Sequence, residues 1–264
     1  ILKAARFLQA ATRTHQGATI RLTKRIPIAA GLGGGSSDAA ATLMGLNRLW
    51  NTRCSTDELH ALACQLGSDV PFFLTAHPFA IGRGRGELLE PVRDTNELIH
   101  LLVTPNMPLS TKDIYASAAL NPSTSSGLNP ERATRVEGFN LTAPGPSITM
   151  LVHALCNGSL GELAKGLFNA LEPEAIRRCP IIHEIQAYLQ VHGCLGALTS
   201  GSGPAVFGLC ESTTQAQQLA AQMRRRGANQ WTVHVIRTSR PKATAERTGG
   251  WRTTAWGGGC RSLR

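Results

Sequence analysis

The residues of this chain best suited to chemistry form a glycine-rich segment near its start. Residues 31–38 read Gly-Leu-Gly-Gly-Gly-Ser-Ser-Asp, between a strand predicted from the alternating residues 19–26 and ended by Pro27, and an alanine- and leucine-rich helix predicted over residues 39–50. Glycines let backbone N–H groups approach an anion, and the start of a helix adds partial positive charge. Ser36 and Ser37 could cap that helix, donate to a phosphate or hold Mg²⁺. The pattern predicts a phosphate site.

Two better-known phosphate motifs do not fit this segment. A P-loop needs Gly-Lys-Ser/Thr, and no lysine follows the glycines. The dinucleotide pattern G-x-G-x-x-G also fails, because Gly31 and Gly33 are followed by Ser36. An ordinary strand-to-helix turn remains an alternative, although the glycine run followed by two serines favours the phosphate site.

Asp69 is the second candidate for chemistry. A capping box of Ser55 and Glu58 begins a predicted helix that Gly67 ends, and Asp69 follows on a tight turn before Pro71. A carboxylate held in this way could serve as a base. It could equally be a turn residue that bonds its own backbone, and spacing alone leaves both interpretations open.

The remaining composition excludes several other classes of site. The seven cysteines have no C-x-x-C or zinc-ligand spacing, and the eight histidines form no H-x-x-x-H or H-E-x-x-H pattern, so we expect no metal site made of protein ligands alone. Scattered, unpaired cysteines indicate reduced thiols in a cytoplasmic protein. No window approaches the roughly 18 apolar residues of a membrane helix, and the start is not a signal peptide.

The net charge of +10 raises the possibility of nucleic-acid binding. Residues 239–264 carry six basic residues and one acid in a Gly/Thr/Arg-rich stretch without hydrophobic periodicity, which predicts a disordered tail. Half the excess charge therefore lies outside the folded body. We expect no nucleic-acid partner, although an RNA-binding protein that uses this tail remains an alternative.

The elements around these motifs predict an α+β fold rather than a doubly wound sheet, because strands and helices come in separate runs. We predict a first domain over residues 1–95, a second over 96–238 and a long surface loop over 121–146. Predicted helices cover residues 1–11, 39–50, 55–67, 110–119, 147–156, 159–171, 181–192 and 213–226. Predicted strands cover 19–26, 79–81, 88–92, 99–104, 195–199, 205–210 and 230–237.

Three motifs, in order, resemble the GHMP kinases. Residues 27–40 are similar to their ATP loop, Leu-Gly-Ser-Asp-Val-Pro-Phe-Phe at 66–73 to the segment with their catalytic aspartate, and Ser-Gly-Ser-Gly-Pro-Ala-Val-Phe-Gly at 200–208 to their C-terminal glycine loop. A Gly-x-Gly-Glu turn at 84–87, followed by Pro91-Val, resembles the family's intervening hairpin. The resemblance spans residues 1–237. It implies an incomplete ribosomal-protein-S5-like N-terminal domain and a ferredoxin-like α+β C-terminal domain.

The resemblance implies an activity and a set of site residues. Gly-Gly-Gly-Ser-Ser-Asp is most similar to family members that use ATP and Mg²⁺ to phosphorylate the 2-hydroxyl of a cytidyl diphosphate-linked methylerythritol in isoprenoid precursor synthesis. Asp69 would be catalytic, and Thr111, Tyr115, Gly201, Ser202 and Gly203 would bind substrate, with Tyr115 stacked on cytosine. The residues implied to bind ATP are Pro27, Ala29, Ala30, Gly31, Leu32, Gly33, Gly34, Gly35, Ser36 and Ser37.

The chain departs from the family at its start. The family's N-terminal lysine, asparagine and Tyr-His pair have no match in residues 1–30, where Lys24 and Arg25 are interpreted as surface charges. We therefore expect residues upstream, no turnover by the 264 residues alone, and activity from the whole reading frame. The alternatives are another GHMP enzyme (homoserine, mevalonate or galactose-type kinase, or diphosphomevalonate decarboxylase) and a non-catalytic nucleotide-binding remnant. We expect a monomer or homodimer.

Overall fold

The computed structural model describes residues 1–75, 77–120, 147–227 and 230–238. The predicted loop over 121–146 and the predicted tail over 239–264 lie outside the described residues. The helices are α1 (Leu2–Thr12), α2 (Gly34–Leu49), α3 (Thr56–Leu66), α4 (Thr111–Leu120), α5 (Ile148–Asn157), α6 (Leu160–Lys165), α7 (Glu172–Arg178), α8 (Ile181–Val191) and α9 (Thr213–Arg226). The strands are β1 (Ala80–Arg83), β2 (Leu88–Pro91), β3 (Ile99–Pro105), β4 (Gly196–Thr199), β5 (Val206–Cys210) and β6 (Trp231–Arg237).

Helices α1, α2 and α3 pack together around one apolar cluster. Leu8, Leu43 and Ala63, one from each helix, are fully buried in it. The helical period of apolar residues predicts that the inner face of the first helix consists of Ile1, Leu2, Ala5, Leu8 and Ala11. That prediction is partly wrong, because Leu2 is 72% exposed and the buried residues of α1 are Ala4 and Leu8. Contact with α2 and α3 selects the face, which sequence periodicity leaves uncertain by one position.

Helix α3 has the predicted ends. The Ser55 hydroxyl accepts a hydrogen bond from the Glu58 amide at 3.3 Å, and the Glu58 carboxylate accepts one from the Ser55 amide at 2.7 Å. Gly67 follows the last turn as the C-cap. The capping box sets where α3 begins and Gly67 sets where it ends, two residues before Asp69.

Four strands form an antiparallel sheet in the order β4-β5-β3-β6. On β3, Leu101 and Val103 face a core completed by helices α7, α8 and α9, with Ile182 and Met223 fully buried there. Leu102 faces the opposite side, as the two-residue period of a strand requires. There it packs against Ala30, so the sheet directly supports the segment that precedes α2.

Two predicted elements are wrong. Residues 19–26 form no strand in this described part of the chain, and Ile20 and Leu22 are exposed. Alternating side chains predict a strand only where a neighbouring strand can accept its backbone hydrogen bonds. The helix predicted over 159–171 ends at Lys165, and α7, which was not predicted, begins at Glu172 with Pro173 in its first turn.

Candidate active site

The glycine-serine segment turns directly into α2; we call residues 31–37 the first glycine loop. Gly31 and Gly33 have φ values of 73° and 62°, the left-handed region that favours glycine. Gly33 is the N-cap, and α2 begins at Gly34 rather than at Ala39 as predicted. The amides of the first turn, at Gly34, Gly35 and Ser36, have no carbonyl partner within the helix. An oxyanion placed before this turn would be bound by these donors.

The two serines do not cap the helix as predicted. The N-cap is Gly33, which has no side chain to accept a hydrogen bond. The Ser37 hydroxyl instead donates to the carbonyl of Gly34 at 2.9 Å. No side chain accepts a hydrogen bond at the start of α2, so its first-turn amides can donate to a ligand. At the start of α3, by contrast, the Ser55 side chain fills this role.

Lys24 is not the surface charge that the sequence analysis expected. Its ammonium group lies 2.6 Å from the carboxylate of Asp38, and the side chains are only 26% and 23% exposed. Asp38 lies in the second turn of α2, one turn after Gly34. The ion pair ties the segment before the first glycine loop to the helix after it.

Asp69 lies beside the first glycine loop. It follows Gly67 and precedes a short 3-10 helix (Pro71–Leu74), and the Ser68 hydroxyl donates to its carboxylate at 3.2 Å. From that short helix the ring of Phe73 packs on Gly33, where an added Cβ would come within 2.8 Å of it. The carboxylate of Asp69 is exposed. The short helix that follows this turn is therefore packed against the first glycine loop, while the Asp69 carboxylate faces solvent.

A second glycine loop, residues 200–204, joins β4 to β5 and contacts the first. The Ser200 hydroxyl donates to the Gly31 carbonyl at 3.0 Å, and the Ala205 amide donates to the Ala30 carbonyl at 3.2 Å. An added Cβ at Gly31 would lie 2.1 Å from the Ser200 carbonyl oxygen. Only glycine at this position permits the two loops to approach so closely.

Helix α4 brings two further candidates to the same place. The Thr111 hydroxyl lies 2.9 Å from that of Ser202, a residue that is only 4% exposed. One turn later Tyr115 is 58% exposed. Partial burial of its phenol, together with the negative charge of Asp69, raises the pKa of Tyr115. Tyr115 thus remains neutral over the ordinary pH range and keeps an accessible ring face.

The first glycine loop offers open space and hydrogen-bond donors to a ligand. An added Cβ at Gly35 meets no atom within 4 Å, so the outer side of the first glycine loop is open. The donors there are backbone amides and hydroxyls, which suit phosphate oxygens. The described residues contain no group of three or more His, Cys, Asp or Glu side chains that could hold a metal ion. Mg²⁺ commonly binds through few protein ligands together with substrate phosphates, and the hydroxyl of Ser36 or Ser37 fits that mode.

Candidate residues of the two glycine loops and of α4 lie in contact with one another, but some of them are packed in the core rather than open to a ligand. Gly31 contacts Ser200 and Gly203 of the second glycine loop, and Thr111 of α4 contacts Ser202 of that loop. Ala30 is buried under the loop, and Leu32 packs on the same cluster, so neither offers a side chain to a ligand. Sequence reasoning missed Phe73, which packs on Gly33, and Lys24, which pairs with Asp38.

Both parts of the chain match known sequence families. The N terminal domain of the GHMP kinases matches residues 1–77, and the GHMP kinases C terminal domain matches residues 151–229. A relative from Pelotomaculum thermopropionicum, 4-diphosphocytidyl-2-C-methyl-D-erythritol kinase, is 43% identical over 242 residues. That alignment covers 92% of this chain and 76% of the relative.

Solved structures match in the same way. A crystal structure of 4-(cytidine 5'-diphospho)-2C-methyl-D-erythritol kinase superimposes with a TM-score of 0.68 at 31% identity, covering 89% of this chain and 77% of the other. Homoserine kinase from Cytophaga hutchinsonii superimposes with a TM-score of 0.65 at 21% identity, covering 90% and 74%. The second likeness is one of fold alone. Among the described helices, none is both long and apolar enough to cross a membrane.

Proposed function

The chain belongs to the GHMP kinases, and from this we propose that it transfers the γ-phosphoryl group of ATP to the 2-hydroxyl of 4-(cytidine 5'-diphospho)-2-C-methyl-D-erythritol. The relatives that it matches at 31–43% identity carry this substrate in their names. The structural observation that carries the proposal is one arrangement: the first glycine loop contacts the Asp69 turn through Phe73 and the second glycine loop through Ser200.

The first glycine loop would hold the phosphates. The first-turn amides of α2 point donors at an anion, and the positive end of the helix dipole adds to the attraction. ATP supplies the phosphoryl group and Mg²⁺ neutralises its charge when both are bound. We assign Ser36 and Ser37 to that end of the nucleotide, because their hydroxyls are the nearest side-chain oxygens on the helix.

Asp69 would take or orient the proton of the acceptor hydroxyl. Its exposed carboxylate lies on a turn that Phe73 holds against the loop, so it faces the region where the phosphate donor would end. A carboxylate hydrogen-bonded to the attacking hydroxyl contributes about 10²–10⁴-fold to such a transfer. We infer that Asp69 is the catalytic residue and that its neighbour Ser68 steadies the carboxylate.

The acceptor would lie between α4 and the second glycine loop. Thr111 and Ser202 place two hydroxyls side by side at the edge of the loop. Tyr115 presents a neutral ring on the same helix, and an exposed aromatic face can stack on a cytosine. Gly201 and Gly203 would let the substrate approach the backbone of the loop. We propose a cytoplasmic enzyme with this small-molecule partner, acting as a monomer or homodimer.

A substrate panel tests this assignment. The protein expressed from its whole reading frame would be assayed for ADP release with the cytidyl substrate, homoserine, mevalonate and galactose. We expect ADP release that depends on the cytidyl compound alone. Release with one of the other alcohols would assign a different GHMP activity. Nucleotide binding without turnover on any of them would favour a non-catalytic protein.

A further inference from the structure

Two side chains hydrogen-bond to the backbone at the start of the second glycine loop: Asn169, between α6 and α7, and Glu172, the first residue of α7. The side-chain amide of Asn169 donates to the carbonyls of Thr199 and Gly201, each at 2.8 Å. The carboxylate of Glu172 accepts the Thr199 amide at 2.7 Å. The same carboxylate oxygen accepts a hydrogen bond from the buried Gln186 at 2.6 Å.

We propose that Asn169 and Glu172 are positioning residues that set the conformation of the second glycine loop and, through it, the geometry of the candidate active site. Neither residue is placed against the reacting groups, and both act through the loop backbone. The role in catalysis rests on the proposed function, whereas the role in fixing the loop does not.

The loop needs such support because its own backbone is permissive. Gly201 and Gly203 have φ values of 53° and 75°, and glycine loses more conformational freedom on folding than any other residue. Thr199 and Gly201 offer carbonyls that one amide group can join, since –NH₂ has two hydrogens to donate. Asn169 therefore holds the carbonyls of Thr199 and Gly201, at the start of the second glycine loop, at a fixed separation.

The orientation of the Asn169 amide is determined by three contacts that agree. Its nitrogen faces two carbonyl oxygens, and its oxygen accepts the backbone amide of Leu171 at 3.0 Å. Exchanging nitrogen and oxygen would place like groups together at all three contacts. Gln186 of α8 donates to the Glu172 carboxylate and orients it in the same way. Both side chains therefore have a contact of their own, besides those they make to the loop.

The fastened loop carries the contacts that define the site. Ser200 donates to Gly31 of the first glycine loop, and Ser202 meets Thr111 of α4. A shift of Thr199 or Gly201 would move both serines, because they alternate with these residues along four consecutive positions. Misplacement of a site by about 1 Å can reduce a rate by about 10²-fold.

The test uses substitutions that change one contact each. Asn169→Asp keeps the size and the oxygen that accepts from Leu171, but it turns a carboxylate oxygen toward two carbonyls. Glu172→Ala removes the acceptor for Thr199, whereas Glu172→Gln retains one. Asn96→Asp is the matched control: Asn96 likewise donates to two backbone carbonyls, of Leu155 and Cys156, at a place not joined to either glycine loop.

Two readouts are measured on the protein from the whole reading frame: amide hydrogen exchange in peptides covering residues 198–206, and kcat/KM with ATP and the cytidyl substrate. For Asn169→Asp and Glu172→Ala we expect exchange at least roughly tenfold faster in that peptide, with the other peptides unchanged. We expect kcat/KM to fall roughly 10- to 100-fold. Glu172→Gln and Asn96→Asp should stay within about threefold of the parent in both readouts.

The proposal is overturned if exchange over 198–206 is unchanged in Asn169→Asp, or if Asn96→Asp accelerates it as much. It is also overturned if the loop exchanges faster while kcat/KM keeps the parent value. An unsubstituted protein that neither binds ATP nor turns over would contradict the proposed function alone. The exchange measurement would still decide whether these two side chains fix the loop.

Discussion

Ser200 and Gly31 are 169 positions apart in the chain, yet the Ser200 hydroxyl donates a hydrogen bond to the Gly31 carbonyl at 3.0 Å. The backbone carbonyl of Ser200 lies only 2.1 Å from where a Cβ on Gly31 would be. The two glycine loops are therefore in direct backbone contact. The N-terminal and C-terminal segments of the chain build one candidate site at this seam.

The seam predicts the effect of Gly31→Ala. The new methyl would collide with the Ser200 carbonyl, and alanine is strained at φ 73°. We expect the free energy of unfolding to fall by about 2–4 kcal/mol and ATP affinity to fall with it. Urea denaturation and nucleotide titration measure the two effects.

Gly161→Ala is the matched control for that substitution. Gly161 lies inside α6, where an added Cβ meets nothing within 4 Å. Alanine should leave stability unchanged or raise it by about 0.5–1 kcal/mol. Equal stabilities of Gly31→Ala and the parent would contradict the close approach of the two loops.

Asp69→Asn should separate chemistry from binding. The amide keeps the shape of the carboxylate but cannot take the hydroxyl proton, so we expect kcat to fall about 10²–10⁴-fold. ATP affinity should change by less than about threefold, because Asp69 is not among the amide donors at the start of α2. Asp57→Asn, in the first turn of α3, is the control and should keep the parent kcat. A loss of affinity with kcat preserved would assign Asp69 to nucleotide binding instead.

The Lys24–Asp38 pair should be energetically coupled. With the two side chains about three-quarters buried, a double-mutant cycle of Lys24→Met and Asp38→Asn should give a coupling of about 0.5–1.5 kcal/mol in the free energy of unfolding. The coupling should shrink only slightly in about 1 M salt, since burial limits screening. Additive effects of the two substitutions would show that Lys24 is the solvated surface charge that the sequence alone indicated.

His100 predicts an acid-sensitive step in stability. Burial on β3 against Phe207 lowers the pKa of His100 to about 4 from its usual 6.5. Between about pH 4 and pH 6.5, therefore, His100 is protonated in the unfolded chain and neutral in the folded chain. The stability that this group confers is fully present above about pH 6.5 and is lost as the pH falls toward 4.

His100→Phe should remove that step while keeping a ring against Phe207. Urea denaturation between about pH 7 and pH 4.5 should show the parent losing on the order of 1 kcal/mol per pH unit at the lower end, and the variant losing clearly less. An identical pH slope in both proteins would mean that His100 is not the group responsible.

Local signals predicted most of the secondary structure. The capping box of Ser55 and Glu58, the two-residue alternation of β6 and the helical stretch of α9 each predicted an element that the structure contains. Residues 19–26 show where such signals fail, because a strand depends on a partner that periodicity cannot supply. The start of α2 at Gly34 was missed for a related reason, since glycine is a poor helix former unless its surroundings favour the helix.

The candidate site was predictable where a motif was local. Gly31 to Ser37 and the Asp69 turn stand out in sequence because glycine, serine and proline mark them. Asn169 does not stand out: it is a single polar residue in a connection, and its partners lie 30 and 32 positions away. The role of Phe73 was hidden in the same way, because its significance is that Gly33 leaves room for its ring.

The most direct test of the central claim is to identify the phosphorylated product. The protein from its whole reading frame would be incubated with ATP, Mg²⁺ and the cytidyl methylerythritol substrate, and the product examined by phosphorus NMR and mass spectrometry. We predict the gain of one phosphoryl group on the tertiary 2-hydroxyl, seen as a new phosphomonoester signal without coupling to a proton on the ester carbon. A phosphoryl group on a primary or secondary hydroxyl, or ATP consumed with the substrate unchanged, would contradict the account.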